Sequence, residues 1–348
     1  MLLYLIQIYI LLVYNFHVSL IYDDLGGFTT NMCAEKNPNQ RKAAIVVMGS
    51  LNFDLIATVP RFPNPGESLI GREFYTSSGG KGGNQAVAAS RLGAEAFMVG
   101  RVGDDNFGAE MLESLHVYGV NTSGVTVEPG FQSGIAHITI DESGENKIVI
   151  VPGANSSCDE SEIEQVNLRL RFADVLLLQL ELPLELSMKA ANQAKNLGKI
   201  VVFDPAPAKA LPLSTYGNID YLIPNETEAS VLAGFPVEDP INAVDAAVLL
   251  RSQGVDTVII KMGDQGVSYA TDGDKGHLPG FSVKAVDTVA AGDAFNGAFS
   301  VAIAEGKSLR NAITWGMAAG ALAVTKRGAH SSMPSRNDVE RLILEQSR

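Results

Sequence analysis

The run AAIVVMG, from Ala43 to Gly49, settles the fold class. It is short, apolar and rich in β-branched residues, and it ends on glycine, which is the pattern of a strand buried on both faces. Such strands belong to parallel sheets, whose helical crossovers cover both sides. Outward from it the chain repeats the theme. GGNQAVAASRLG reads as a helix closing on Gly93, AFMVGRVG as a strand, and NFGAEMLESLHVYGV as an amphipathic helix with Asn106 as its N-cap. VLLLQL, IVVFD, YLIPN and TVIIKMG are further strands, and LELSMKAANQAKNLG and AVDAAVLLRSQG further helices. This alternation predicts βαβ units and a mainly parallel central sheet in an α/β fold. SGIAHITIDESGENKIVIVPG differs: it alternates at strand spacing around the turn ESGEN, which predicts a hairpin. With ESLIGREFYTSSGG it is expected to form a small sheet standing off the main body, a β-lid from about 60–78 and 132–152. One domain over 43–348 is the economical reading, with residues 1–42 outside it.

The chain has 348 residues, 46% of them hydrophobic, enough for a sizeable core. Its formal net charge of −13 argues against nucleic acid or an anionic membrane as partner, since both require basic patches. An anionic substrate would have to be met by backbone N–H groups, metal ions or a few placed cations. Cys33 and Cys158 show no metal-type spacing to any of the five histidines, and a reducing compartment is the natural reading. Residues 2–22, LLYLIQIYILLVYNFHVSLIY, are long and apolar enough to span a bilayer. Yet no Lys or Arg precedes them and none follows until Lys36. A membrane anchor, a targeting segment and an upstream extension absent from the mature protein are the three readings. The polar stretch opening at Met32 favours the last, and with it a cytoplasmic location, the nucleus being a second.

The stretch AVDTVAAGDAFNGAF, Ala285–Phe299, carries the chemistry. Val289–Gly292 are small enough for another group to approach their backbone. A helix starting near Ala290 would present free N–H groups and a positive dipole end, an anion site of the phosphate-binding kind. Asp293, in its first turn, either complements the dipole or takes a proton from a hydroxyl that attacks phosphorus. In GSLNFD, Asn52 and Asp54 either face hydroxyl groups together or are turn formers. SGGKGGNQA surrounds Lys81 with glycines and leads into a helix through Asn84, without P-loop spacing. Glu181 follows a leucine-rich strand. Asn225 and Glu228 in PNETE fit a capping box, or face a nucleotide phosphate or Mg²⁺.

Taken in order, GSLNFD, GGKGGNQA, VGDDNFG, SGIAHI, QLE, PNETE, KMGDQG and VDTVAAGDAFNGA resemble the ribokinase branch of the PfkB carbohydrate kinase family over roughly residues 43–340. The resemblance implies a ribokinase-like three-layer α/β/α fold with a small β-sheet lid. It implies transfer of the ATP γ-phosphoryl group to O5 of D-ribose, with Asp293 as general base and the N–H groups of Ala290, Ala291 and Gly292 as anion hole. Asn52, Asp54, Gly80, Lys81, Gly82, Gly83, Asn84, Glu181 and Asp293 would hold the sugar. Asn225, Lys261, Met262, Gly263, Asp264, Gln265, Gly266, Gly292, Asp293 and Met317 would meet ATP, with Glu228 linked to Mg²⁺. A K⁺ activator would sit at Asp287, Val289, Ala323, Lys326, Gly328 and Ser332, and lid strands would pair in a homodimer. Kinases for 2-deoxyribose or another sugar or nucleoside are the near alternatives, and a non-catalytic sugar sensor the distant one.

Overall fold

The computed structural model describes residues 42–346, so the expectations for the apolar segment 2–22 lie outside the described residues. From the first strand the elements run β1 (Ala44–Met48), β2 (Asn52–Thr58), β3 (Glu73–Gly79), α1 (Lys81–Arg91), β4 (Glu95–Gly103), α2 (Asn106–Val117), β5 (Asn121–Glu128), β6 (Gly134–Ile140) and β7 (Asn146–Val151). Then follow α3 (Glu160–Leu170), β8 (Val175–Leu178), α4 (Leu184–Asn196), β9 (Ile200–Phe203), β10 (Tyr221–Leu222), α5 (Glu226–Ala233), α6 (Pro240–Ser252) and β11 (Thr257–Lys261). β12 (Val267–Ala270), β13 (Lys275–Leu278), α7 (Ala291–Ala304), α8 (Leu309–Ala323) and α9 (Arg336–Gln346) complete the series.

The main sheet has nine strands in the order β13-β12-β11-β10-β9-β8-β1-β4-β5. Neighbours from β11 to β5 are parallel, and the β11–β12 and β12–β13 pairings are antiparallel, so β12 alone runs against the rest. β1 shows why its run is continuously apolar. Ile45 and Val47 enter one core with residues of α1, α7 and α8, while Ala44, Val46 and Met48 enter a second with residues of α3, α4 and α6. Each face therefore buries its own alternate set of side chains. On the first face α1 and α7 meet closely at Gly297, where an added β-carbon would lie 2.5 Å from that of Ala88. Among the described residues no helix is long and apolar enough to cross a membrane.

The second sheet has the order β3-β2-β6-β7, with β2 and β6 parallel and the two outer pairs antiparallel. The ESGEN hairpin is β6–β7. Asn52–Thr58 is a strand of this sheet, so Asn52 and Asp54 are not turn formers: two apart on β2, they share one face and are both buried. The buried core of this sheet is small, consisting of Ile56, Ala136 and Ile138 with Ile140 against them. Its base stacks Phe53 on Phe107 of α2, ring centroids 4.5 Å apart. At the far edge all six residues of β7 are exposed.

One residue joins the two sheets. Asn106 is the first helical residue of α2, and its cap is Asp105, whose extended backbone lets Oδ1 accept the Gly108 N–H at 2.8 Å. The same carboxylate accepts Ser133 N–H at 2.8 Å and the Ser133 hydroxyl at 2.6 Å. Ser133 Oγ in turn accepts the N–H of Gly103, the last residue of β4, at 2.9 Å. The start of β6 is thereby fastened to the end of β4.

Candidate active site

The polar residues gather where the parallel strands end, the usual ligand edge of such sheets. Ser50 follows β1, Gln179 and Glu181 follow β8, Asp204 follows β9, Asn225 follows β10, and Lys261 closes β11. α7 begins at the same edge. Its N-cap is Ala290 at φ 60°, alone among the described non-glycine residues in having positive φ. A left-handed alanine costs about 1–3 kcal/mol and persists because its surroundings impose it. No side chain caps α7, so its first turn opens on the cleft.

Asp293 lies in that turn and is buried. Its Oδ2 accepts the Asn84 amide at 2.8 Å and its Oδ1 the Gln85 amide at 2.9 Å. Burial raises its pKa, the Lys81 ammonium opposes, Asp204 adds to the rise, and the result is about 6. A carboxylate with that value is ionised at neutral pH and still basic enough to take a proton.

The residues expected on the sugar side come from both sheets. Gly80, at φ 82°, turns the chain into α1 so tightly that a β-carbon there would meet Asn52 N at 2.6 Å and Ser50 O at 2.8 Å. Lys81 N–H donates to Glu181 Oε2 at 3.2 Å, which the Ser50 hydroxyl also contacts. Desolvation lowers the pKa of the Lys81 ammonium, but Asp293, Asp204, Glu181 and Glu228 around it outweigh that and raise its pKa. Asn52 Oδ1 accepts the buried amide of Asn155 at 2.9 Å. Asp54 is pushed up to about 7 by burial, then by Glu181 and Asp293. Gly82 and Gly83 are buried within α1, Gly82 against the backbone of Gly49.

Beyond the start of α7 a cleft of about 1050 Å³ is lined by Lys81, Asn225, Glu228, Lys261, Met262, Gly263, Asp264, Gly266, Ala290, Ala291, Gly292, Asp293 and Met317. Gln265 is not among the lining residues; its amide turns to the Glu238 carbonyl. Asn225 and Glu228 form the capping box of α5, each side chain bonded to the other's N–H at 2.8 Å, and both also face the cleft. The two readings of that motif coexist. Glu228 has a raised pKa, by burial and then by Asp204.

Two loops adjoin the other side of the α7 start. Asp287 accepts Val289 N–H and Gly328 N–H, each at 3.0 Å, and the N–H groups of Val286 and Asp287 donate to the Val324 carbonyl at 2.7 and 3.1 Å. Asp287, Val289 and Gly328 are thus together. Lys326 N–H bonds the Ala323 carbonyl at 3.1 Å in the adjoining turn, and Ser332 is buried with its hydroxyl on the Ala329 carbonyl.

Sequence reasoning did not single out Asp204, Gln85, Gln179, Asn155 or Glu226. Asp204 carried a signal, an acidic residue at the end of the buried strand IVVFD. Gln85 sits inside the GGNQA motif, yet a glutamine in a helix ordinarily faces water.

A buried carboxylate in the first turn of an uncapped helix, on the wall of a deep cleft and bonded by two side-chain amides, is the equipment of a small-molecule phosphotransferase. The chain belongs to the pfkB family of carbohydrate kinases, whose family model matches residues 42–336. It is similar to a ribokinase of Haemophilus influenzae, 42% identical over 85% of this chain and 97% of that one. It is also similar to a ribokinase of Bacillus subtilis, 40% identical over 86% and 99%. A deoxyribokinase of Salmonella typhi is 36% identical over 84% and 95%. Among solved structures, an Arabidopsis thaliana ribokinase complexed with ribose and ATP superposes with a TM-score of 0.80 at 32% identity, covering 87% of this chain and 99% of that one.

Proposed function

We propose that the protein transfers the γ-phosphoryl group of ATP to O5 of D-ribose, releasing ribose 5-phosphate and ADP. The observation that carries this is the position of Asp293, buried in the uncapped first turn of α7, lining the cleft beside Gly292, bonded by Asn84 and Gln85 and close enough to Asp54 to raise its pKa. In the reaction the sugar is held by Asn52, Asp54, Lys81, Asn84 and Glu181, with its hydroxyl against Asp293. Asp293 takes the hydroxyl proton as the oxygen attacks phosphorus. The N–H groups from Ala290 to Gly292 meet the charge on the transferred group, as preorganised dipoles do in a dry site. Asn225, Met262, Gly263 and Gly266 hold the nucleotide.

Among the described residues no cluster of three or more His, Cys, Asp or Glu side chains could cage a metal. The residues present do fit a Mg²⁺ carried on phosphates, which needs only one or two carboxylates. Glu228, which lines the cleft at the start of α5, would hold it. Bound there, Mg²⁺ supplies charge neutralisation for the phosphates. Between the loops tied by Asp287, backbone carbonyls of the Val289, Ala323 and Gly328 segments suit K⁺, and activity should rise when K⁺ replaces Na⁺. The small sheet acts as a lid that excludes water from the transfer. Its exposed β7 edge, with Ile148, Val149, Ile150 and Val151, suits pairing with a second copy. Sedimentation of wild type against Ile150→Lys tests that dimer. The reaction belongs in the cytoplasm.

The experiment is ADP release with Mg-ATP and K⁺, offered ribose, 2-deoxyribose, fructose and adenosine in turn. Preference for ribose supports the reading. Preference for 2-deoxyribose moves the assignment to the sister activity, and a folded, ATP-binding protein silent on every sugar overturns it in favour of a sensor.

A further inference from the structure

Lys261 closes β11, and its ammonium stands in the cleft wall between two features. On one side it donates to Asp204 Oδ1 at 3.1 Å. On the other it overlooks the first turn of α7, where a β-carbon added to Gly292 would lie 3.3 Å from Nζ. Gly292 leaves open the space between the ammonium and the helix start. The Lys261 side chain is only 14% exposed and Asp204 2%, so water screens this charge weakly.

Asp204 is itself held. Its Oδ2 accepts Gln85 Nε2 at 2.9 Å, and that same nitrogen donates its other proton to Asp293 Oδ1 at 2.9 Å. Gln85 Oε1 is fixed by the Gln179 amide at 2.6 Å. One amide therefore sets the spacing between the base and the counter-ion of the lysine. The chain Lys261, Asp204, Gln85, Asp293 places a cation over the start of the helix and a carboxylate within its first turn. A buried ion pair contributes little to stability by itself, because desolvation offsets the attraction. This one occupies the wall of a cleft, within reach of an open helix N-terminus. The second cation lining the cleft, Lys81, is surrounded by Asp293, Asp204, Glu181 and Glu228.

We propose that Lys261 is a catalytic residue, its ammonium contacting the phosphoryl oxygens as that group passes over the first turn of α7, with Asp204 and Gln85 as positioning residues. The inference rests on the kinase reading of the site. In the step, the sugar hydroxyl oxygen bonds to phosphorus while its proton goes to Asp293. The bond from phosphorus to the bridging oxygen of ADP breaks, and that oxygen leaves with the electron pair. The negative charge spread over the phosphoryl oxygens in between is what the ammonium stabilises. Asp204 keeps a flexible lysine in one place beforehand, so little reorganisation accompanies the transfer.

The test compares wild type with Lys261→Met and Lys261→Arg by steady-state kinetics. Calorimetry of ADP and of ADP with aluminium fluoride, both with ribose and Mg²⁺, supplies the binding readout. Lys261→Met is expected to lower kcat about 10²-fold, the scale of losing one preorganised donor to a transition state. It should weaken the aluminium fluoride complex in parallel while leaving ADP affinity and the KM for ribose near wild type. Lys261→Arg should recover part of both losses. Equal weakening of ADP and its fluoride complex, or wild-type behaviour of Lys261→Met in both assays, overturns the proposal. Should Lys261→Met melt early, Lys261→Gln, which can still donate to Asp204, repeats the comparison with the same criteria. The wild-type arm reports on the underlying reading separately: no ribose-dependent ADP release there sinks the kinase assignment before any variant is considered.

Discussion

The two sheets of this protein solve different problems with the same kind of strand. In the main sheet β1 has no exposed residue, both faces carry helices, and the polar side chains at its edge bond one another. Asn84, Gln85, Gln179, Asp204 and Asp293 form one connected set there, so the base cannot shift without breaking a buried bond. The small sheet has three buried apolar residues, an edge strand open along its length, and a stacked ring pair at its base. It contributes Asn52 and Asp54 and nothing to the base. Under the proposed function, chemistry would sit on the rigid part and substrate capture on the part with little to hold it still, as expected when closing over a ligand draws on local stability.

The sharpest blow to this contrast is Asp293→Asn, which keeps the shape and both amide neighbours. It is expected to lower kcat about 10²–10⁴-fold, the span of general base catalysis, while the melting temperature holds or rises. A kcat within a factor of a few of wild type would remove the base from the rigid edge. Next, truncation of the main core should cost far more than truncation of the small one. Ile45→Ala is expected to cost about 2–5 kcal/mol in urea unfolding, and Ile138→Ala distinctly less. Equal costs would mean that the small sheet is as firmly built as the large one. Gly297→Ala probes the α1–α7 seam. With a β-carbon 2.5 Å from Ala88, it should cost about 1–3 kcal/mol by overpacking and lower kcat without changing the KM for ribose.

The smallest effect is one of pH. With Asp293 raised to about 6, kcat should fall as pH drops below that value, because the protonated acid cannot accept the hydroxyl proton. Stability carries the opposite sign. A carboxylate raised from 3.8 binds its proton more tightly in the folded state, so its contribution is fully present below 3.8 and is lost as pH rises through about 6. Asp54, raised to about 7, acts in the same direction over a slightly higher window. Titration of kcat and of the urea midpoint from pH 5 to 8 should show opposed trends in wild type. The opposition should weaken in Asp293→Asn.

Much of the rigid edge was legible in sequence because its residues are locally anomalous. A cation among four glycines at Lys81 and a run of small residues before Asp293 have few structural excuses. β2 was obscured because Asn52 and Asp54 are poor strand formers with strong turn chemistry, and pairing on both sides with β3 and β6 overrides that propensity. Asn155 and Gln85 act through partners over a hundred residues distant in sequence, and no local pattern reports such contacts. The left-handed backbone of Ala290 has no signature in the sequence, since that conformation ordinarily calls for Gly, Asn or Asp. Asp105 lost its cap to Asn106 in the reading because both residue types cap equally well.

The Asp105–Ser133 fastening also fixes a fulcrum. β6 leaves it and runs seven residues to Ile140, which at roughly 3.3 Å per residue is an arm of about 20 Å. A swing of only about 10° about that point carries the tip some ~3–4 Å, on an arm of that length, while Asn52, paired beside Gly134 at the pivot, hardly moves. The end of the small sheet that carries Asn52 can therefore stay in register with Asp293 while its outer end sweeps, so that one carboxylate separates the steady end of a lever from the travelling one.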